Sequence, residues 1–149
     1  MDTNSNLTDT RRELAITYIA DIFSEALCVR NRSLLESENL CIEQGHTILS
    51  EAMARALEAY DRKLCANLDA GIKVHDRRRR TLATKLGDVS FSWSRCRDIY
   101  GNTIIPLADA LDIQWGMRIS PAARAFLVDA GAEVSFAKSA SLLAQAGGC

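Results

Sequence analysis

No apolar run in this chain approaches the roughly 20 residues that a membrane-spanning helix needs, and the polar N-terminus carries no signal-peptide-like apolar stretch. Metal-site spacing is missing as well. Cys28, Cys41, Cys65, Cys96 and Cys149 are odd in number and widely separated, with no CxxC and no Cys/His pairing. A Ser/His/Asp set, a Gly-rich phosphate loop and a metal-ligating cluster are all absent from the sequence. The expectation is therefore a chain without a membrane span, a zinc module or catalysis of its own. No catalytic residue and no metal ligand is assigned. Its thiols are expected to be reduced and structural, in a cytoplasmic protein.

What is present is enough to fold. Apolar residues make up 48% of the 149, which supports a core and excludes global disorder. Net charge is −1 but unevenly spread. Residues 71–97 carry eight Lys/Arg against Asp76 and Asp88, a net of +6, so the remainder carries −7. Concentrated positive charge on an otherwise acidic chain fits a phosphate-contacting surface, with Arg77, Arg78, Arg79, Arg80, Lys85, Arg95 and Arg97 as the candidate contacts. A solvated linker whose arginines touch acidic helices is the alternative.

After the arginines the pattern changes. Val89, Phe91 and Trp93 alternate with Ser90, Ser92 and Ser94, the period of a half-buried strand. A two-residue loop at Gly87-Asp88 places Leu86 opposite Val89, Thr84 opposite Phe91 and Leu82 opposite Trp93, all on one face. A second turn at Gly101-Asn102 pairs Ile99 with Ile104. The result is a three-stranded antiparallel meander near residues 81–106, with a basic lead-in.

Helical signals flank it. Residues 1–9 read as frayed, and Thr10 with Glu13 as a capping box for a first helix over about residues 10–30. The polar stretch from Asn31 to Asn39 reads as a loop, with Ser33 and Glu36 able to start a turn. A second helix spans about Leu40 to Leu68. It has Ile42, Leu49 and Ala56 alternating with His46, Met53 and Tyr60 at near-heptad spacing. That stripe is read as intramolecular packing, with self-association as the alternative. His46 is read as a packed histidine rather than a ligand. His75 stands beside the arginines without a nucleophile to serve. Beyond the meander, a short helix follows Pro106, with Asp109 and Asp112 read as solvating or capping carboxylates. Ser120-Pro121 starts a helix that stops at Gly131. Ser135 caps another, Phe136 to Ala146. These two small-residue-rich helices read as an incomplete helix-turn-helix, whose base-reading helix is expected beyond Cys149.

The organisation expected is α+β: a helical hairpin over 1–70, the basic lead-in and meander over 71–106, and short helices over 107–149.

The segments Leu57–Asp61, Arg77–Thr81, Thr84–Phe91, Pro106-Leu107, Leu111–Ile113, Ile119–Pro121 and Ala132–Phe136, in that order, resemble the N-terminal region of bacterial insertion-sequence transposases of the Lre type, an uncharacterised transposase-like family. The pattern departs at Trp93–Cys96, where relatives tend to carry basic and tyrosine residues. The resemblance implies a DNA-binding and accessory portion ahead of an RNase-H-like domain with an Asp-Asp-Glu ligand set, lying beyond Cys149. Magnesium is then expected only for the parent protein. DNA, bound with little sequence preference, is the expected partner of this portion. The alternative is an oligomerisation module without direct DNA contact.

Overall fold

The computed structural model describes residues 3–29, 31–133 and 136–147. The chain divides into two units, Met1–Gly45 and His46–Cys149, with the division falling inside a helix.

In the first unit, α1 runs Thr3–Leu27 and α2 begins at Leu34, continuing to Ala66. The first helix starts seven residues earlier than Thr10, because no glycine or proline precedes Gly45 to stop it. Thr10 and Glu13 therefore lie within α1 rather than at its start. The reciprocal capping box is formed instead by Ser33 and Glu36. The Glu36 backbone N–H donates to Ser33 Oγ at 3.2 Å, and the Ser33 N–H donates to Glu36 Oε2 at 2.7 Å. The Ser33 N–H, with the Ser33 hydroxyl donating to the same oxygen at 2.8 Å, holds the Glu36 carboxyl below its ordinary range. Of the stretch read as a loop, residues 34–39 are thus the first turn and a half of α2, and residues 31–33 lie before the helix. Ile19, Phe23 and Ala26 of α1 are half-buried, whereas Tyr18 and Ile22 are exposed.

The second unit is built on a three-stranded antiparallel sheet in the order β1-β2-β3: Lys73–Thr84, Gly87–Arg97 and Thr103–Ile104. The four arginines are not a lead-in to β1 but its middle, and β1 extends the meander back to residue 73. The hairpin turns at Lys85-Leu86 rather than at Gly87-Asp88. Thr84 Oγ1 accepts the Leu86 N–H at 3.0 Å and donates to the Gly87 carbonyl at 2.8 Å. Gly87, at φ 102°, supplies the left-handed residue that closes such a turn. Leu82 consequently pairs with Val89, Arg80 with Phe91 and Arg78 with Trp93. The displacement from the expected register is even, so every side chain keeps its face. Leu82, Thr84, Val89, Phe91 and Trp93 are buried together as expected, while Leu86 sits at the tip. The second turn also differs. Cys96, not Ile99, pairs with Ile104. The Asp98 carboxylate accepts the Tyr100 and Asn102 N–H groups and the Asn102 amide, holding a longer loop that leaves Ile99 and Tyr100 exposed.

Around the sheet face, Leu82, Val89, Phe91, Trp93 and Leu107 form the core, with Leu57 and Leu64 of α2 packed against it. Leu107 belongs to α3, Pro106–Ala110, whose proline occupies a first-turn position that needs no N–H donor. Burial, reinforced by the neighbouring Cys65 thiol, pushes the Cys96 thiol up to about 11, so it stays protonated at neutral pH.

The outer edge of β1 is met by residues 118–120. Ala83 donates to the Arg118 carbonyl and accepts from the Ser120 N–H, both at 2.9 Å. Ser120 then caps α4, Pro121–Glu133, through its hydroxyl to the Ala123 N–H at 3.2 Å. The helix passes through Gly131 instead of stopping there, since that glycine does not adopt a left-handed φ. The helix α5, Phe136–Gly147, ends against the hairpin turn. A Cβ on Gly147 would lie 3.5 Å from Gly87 Cα. The expected Ser135 cap lies outside the described residues.

A candidate anion-binding cleft

Even-numbered positions of β1 and odd-numbered positions of β2 share the core-facing side, and that side changes character along its length. At the turn end it is apolar. Toward the start of β1 it becomes charged, with Asp76, Arg78 and Arg80 facing Trp93 and Arg95. A β-bulge between Val74 and Asp76 sets this alignment by bringing Asp76 opposite Arg95.

Arg95 grips the Asp76 carboxylate with both Nε and Nη2, the former at 2.7 Å, and Arg78 Nε reaches the same carboxylate at 3.2 Å. The Arg95 hydrogen bonds, ahead of the nearby positive charges, lower the Asp76 carboxyl to about 2. The Arg95 guanidinium is pushed upward by the same contact. Arg80 lies 5.1 Å above the Trp93 ring and donates to the Met117 carbonyl. Trp93 itself meets Phe91 edge-to-face at 6.0 Å. Arg80 is thus a strut between the sheet and the loop before α4.

Beside these groups opens a cleft of about 400 Å³. Arg78, Arg79, Arg80 and Arg95 form its cationic side, and Ile104, Ile105, Ala108 and Ile113 its apolar side. Trp115 stands at its margin, 97% exposed. Asp109 is an acidic wall group, so the four guanidiniums outnumber the carboxylates lining the cleft.

The opposite sheet face carries Arg77 and Arg79, cross-strand from Ser94 and Ser92. Arg77 lies 3.6 Å from the buried Asp61 carboxylate and donates to the Ser92 carbonyl at 3.3 Å. A second depression, beside Arg79, is also lined by Arg118.

A model of the uncharacterised protein family UPF0236 matches residues 30–148. The chain belongs to UPF0236. No curated protein and no solved structure matches it.

In this UPF0236 chain the seven candidate cations do not form one array. Arg78, Arg80 and Arg95 gather at the cleft with Arg79 at its rim. Arg77 is directed to Asp61, and Lys85 lies over the Phe126 ring at 5.5 Å. Arg97 is exposed at the far end of β2. Arg79 and Arg97 have no ion pair among the described residues. Among those residues no group of three His, Cys, Asp or Glu side chains is placed to hold a metal ion.

Sequence reading missed Glu58, Asp61, Arg118 and Trp115. The two carboxylates carried a signal, standing between Leu57 and Leu64 where an apolar stripe should continue. Trp115 stood outside every periodic pattern, and Arg118 had no distinguishing neighbour.

Proposed function

We propose that this chain is a DNA-contacting portion of a transposase-like protein, holding phosphates on the cationic strand β1 and the cleft beside it. One observation carries the reading: the arginine run is part of a paired strand, so its guanidiniums project from a fixed backbone rather than from a loose linker. Fixed cations pay less ordering cost on meeting a phosphate than those of a mobile tail. Contacts to phosphate position a protein without specifying sequence, so binding is non-specific, with Kd of about 10⁻⁴ to 10⁻⁶ M at physiological salt. The transposase parentage, with its separate Asp-Asp-Glu domain, rests on the ordered resemblance of Leu57 to Phe136. Titration of random and transposon-end duplexes across a salt series tests the reading. Affinity should fall steeply with salt for both, and Arg79→Ala with Arg97→Ala should flatten that dependence. Salt-independent binding, or none, ends it, and a hundredfold preference for transposon ends would overturn its non-specific character.

A second reading, an oligomerisation module, is favoured by a separate observation. Leu49, Met53, Ala56 and Tyr60 of α2 follow one another at alternating spacings of four and three, and all four are exposed. That spacing is a coiled-coil seam. The core-facing stripe of the same helix is a different one, through Ala54, Leu57 and Leu64.

A further inference from the structure

We infer that the cleft takes an unpaired nucleotide, so that the chain prefers single-stranded DNA over duplex; this rests on the phosphate-contacting reading above. Three features converge on that ligand chemistry. The first is the cation-rich wall, where Arg78 and Arg79 remain exposed and able to meet a phosphate. The second is the apolar wall of Ile104 and Ile113, which suits the face of a base but offers nothing to a sugar-phosphate backbone. The third is Trp115, an indole left almost entirely in water at the margin of the same cleft.

Exposure of a tryptophan to that degree forfeits its burial energy, and a stacked base restores it. A cationic groove with an aromatic platform is the general arrangement by which proteins hold single strands, since every base has a π-face. In a duplex both faces of each base are already stacked, and a concave site of about 400 Å³ admits only a base that has left the stack. Asp109, the acidic wall group, can accept from the exocyclic amine of cytosine, adenine or guanine. Duplex phosphates remain free to meet Arg79 at the rim and Arg97 at the far end of β2, so the preference is one of degree.

The test uses the full chain with an oligothymidylate and a random-sequence duplex of equal length at one low salt concentration. Trp93 is buried and Trp115 exposed, so quenching of tryptophan emission by added strand reports on the cleft. The single strand should bind about tenfold more tightly than the duplex, as expected for one or two stacked bases. Trp115→Ala should erase that difference and leave duplex affinity unchanged, while Trp115→Phe should restore most of it. Because the side chain is exposed, neither substitution threatens the fold. Equal, salt-sensitive binding of both DNAs, unaltered by Trp115→Ala, overturns the inference and leaves the phosphate reading standing. Failure of both DNAs to bind overturns the two together.

Discussion

Asp61, fully buried on α2, accepts both the backbone N–H and the hydroxyl of Ser94 on β2, at 3.0 and 2.7 Å. One turn earlier on the helix, Glu58 accepts the Ser92 N–H at 2.8 Å. The short β3 pairs with β2 only at Cys96 and Arg97, so the edge groups of Ser92 and Ser94 have no strand partner there. Carboxylates from α2 take that place. An open edge invites pairing with another chain, and covering it with a helix is one way to prevent this. The acids that interrupt the apolar stripe of α2 are therefore the means by which the helix is joined to the sheet.

Removing Asp61 should be costly. Asp61→Ala strands a buried N–H, a buried hydroxyl and the Arg77 guanidinium, an expected loss of about 3 kcal/mol. Asp61→Asn keeps an acceptor for the Ser94 N–H and should lose less than half as much. Urea unfolding of the two variants checks the order, and equal losses would remove the hydrogen bonds from the explanation.

Trp93 closes the core at the boundary between its apolar and charged halves. Trp93→Ala removes contacts with Phe91 and the ring beneath Arg80, and should cost about 3–5 kcal/mol. An unchanged melting temperature would show that the face is not a core.

Much of the sheet was legible because side-chain alternation survives an error in the turn. Val89, Phe91 and Trp93 announce a buried face whichever residues form the loop, and an even displacement of register leaves that face intact. The turn itself misled, since Gly87 reads as a loop centre while Leu86 reads as strand. The left-handed glycine closes the turn, and the Thr84 hydroxyl steadies it, an effect with no pattern in sequence. Of the site, the cations were visible as a run of four arginines. Their division between two faces followed only from their being a strand, and their pairing with Asp61 and Asp76 depends on neighbours far along the chain or across a bulge.

Self-association through α2 has a simple test. If Leu49 and Met53 form a seam, the chain should sediment as an oligomer, and Leu49→Asp with Met53→Asp should sediment as a monomer. Both positions are exposed, so the melting temperature of the monomeric unit should barely move. A wild-type chain that stays monomeric at high concentration ends this reading.

Asp76 ties stability to charge at the cleft. Its carboxyl is held at about 2 in the folded chain, against about 3.9 for an ordinary aspartate. The stabilisation from its contact with Arg95 is therefore complete above about pH 4 and is lost as pH falls from there toward 2. Asp76→Asn should flatten the fall in melting temperature across that window and leave a smaller change between pH 5 and 7. The same substitution releases Arg78 and Arg95 from their carboxylate and leaves four guanidiniums on the cleft. If those groups meet phosphate, DNA affinity should rise at neutral pH. The slope of log affinity against log salt should steepen by about 0.9 for each added duplex contact. An Asp76→Asn chain with wild-type affinity and slope would take Arg78 and Arg95 out of the phosphate contacts and leave them to Arg79 at the cleft rim and to Arg97.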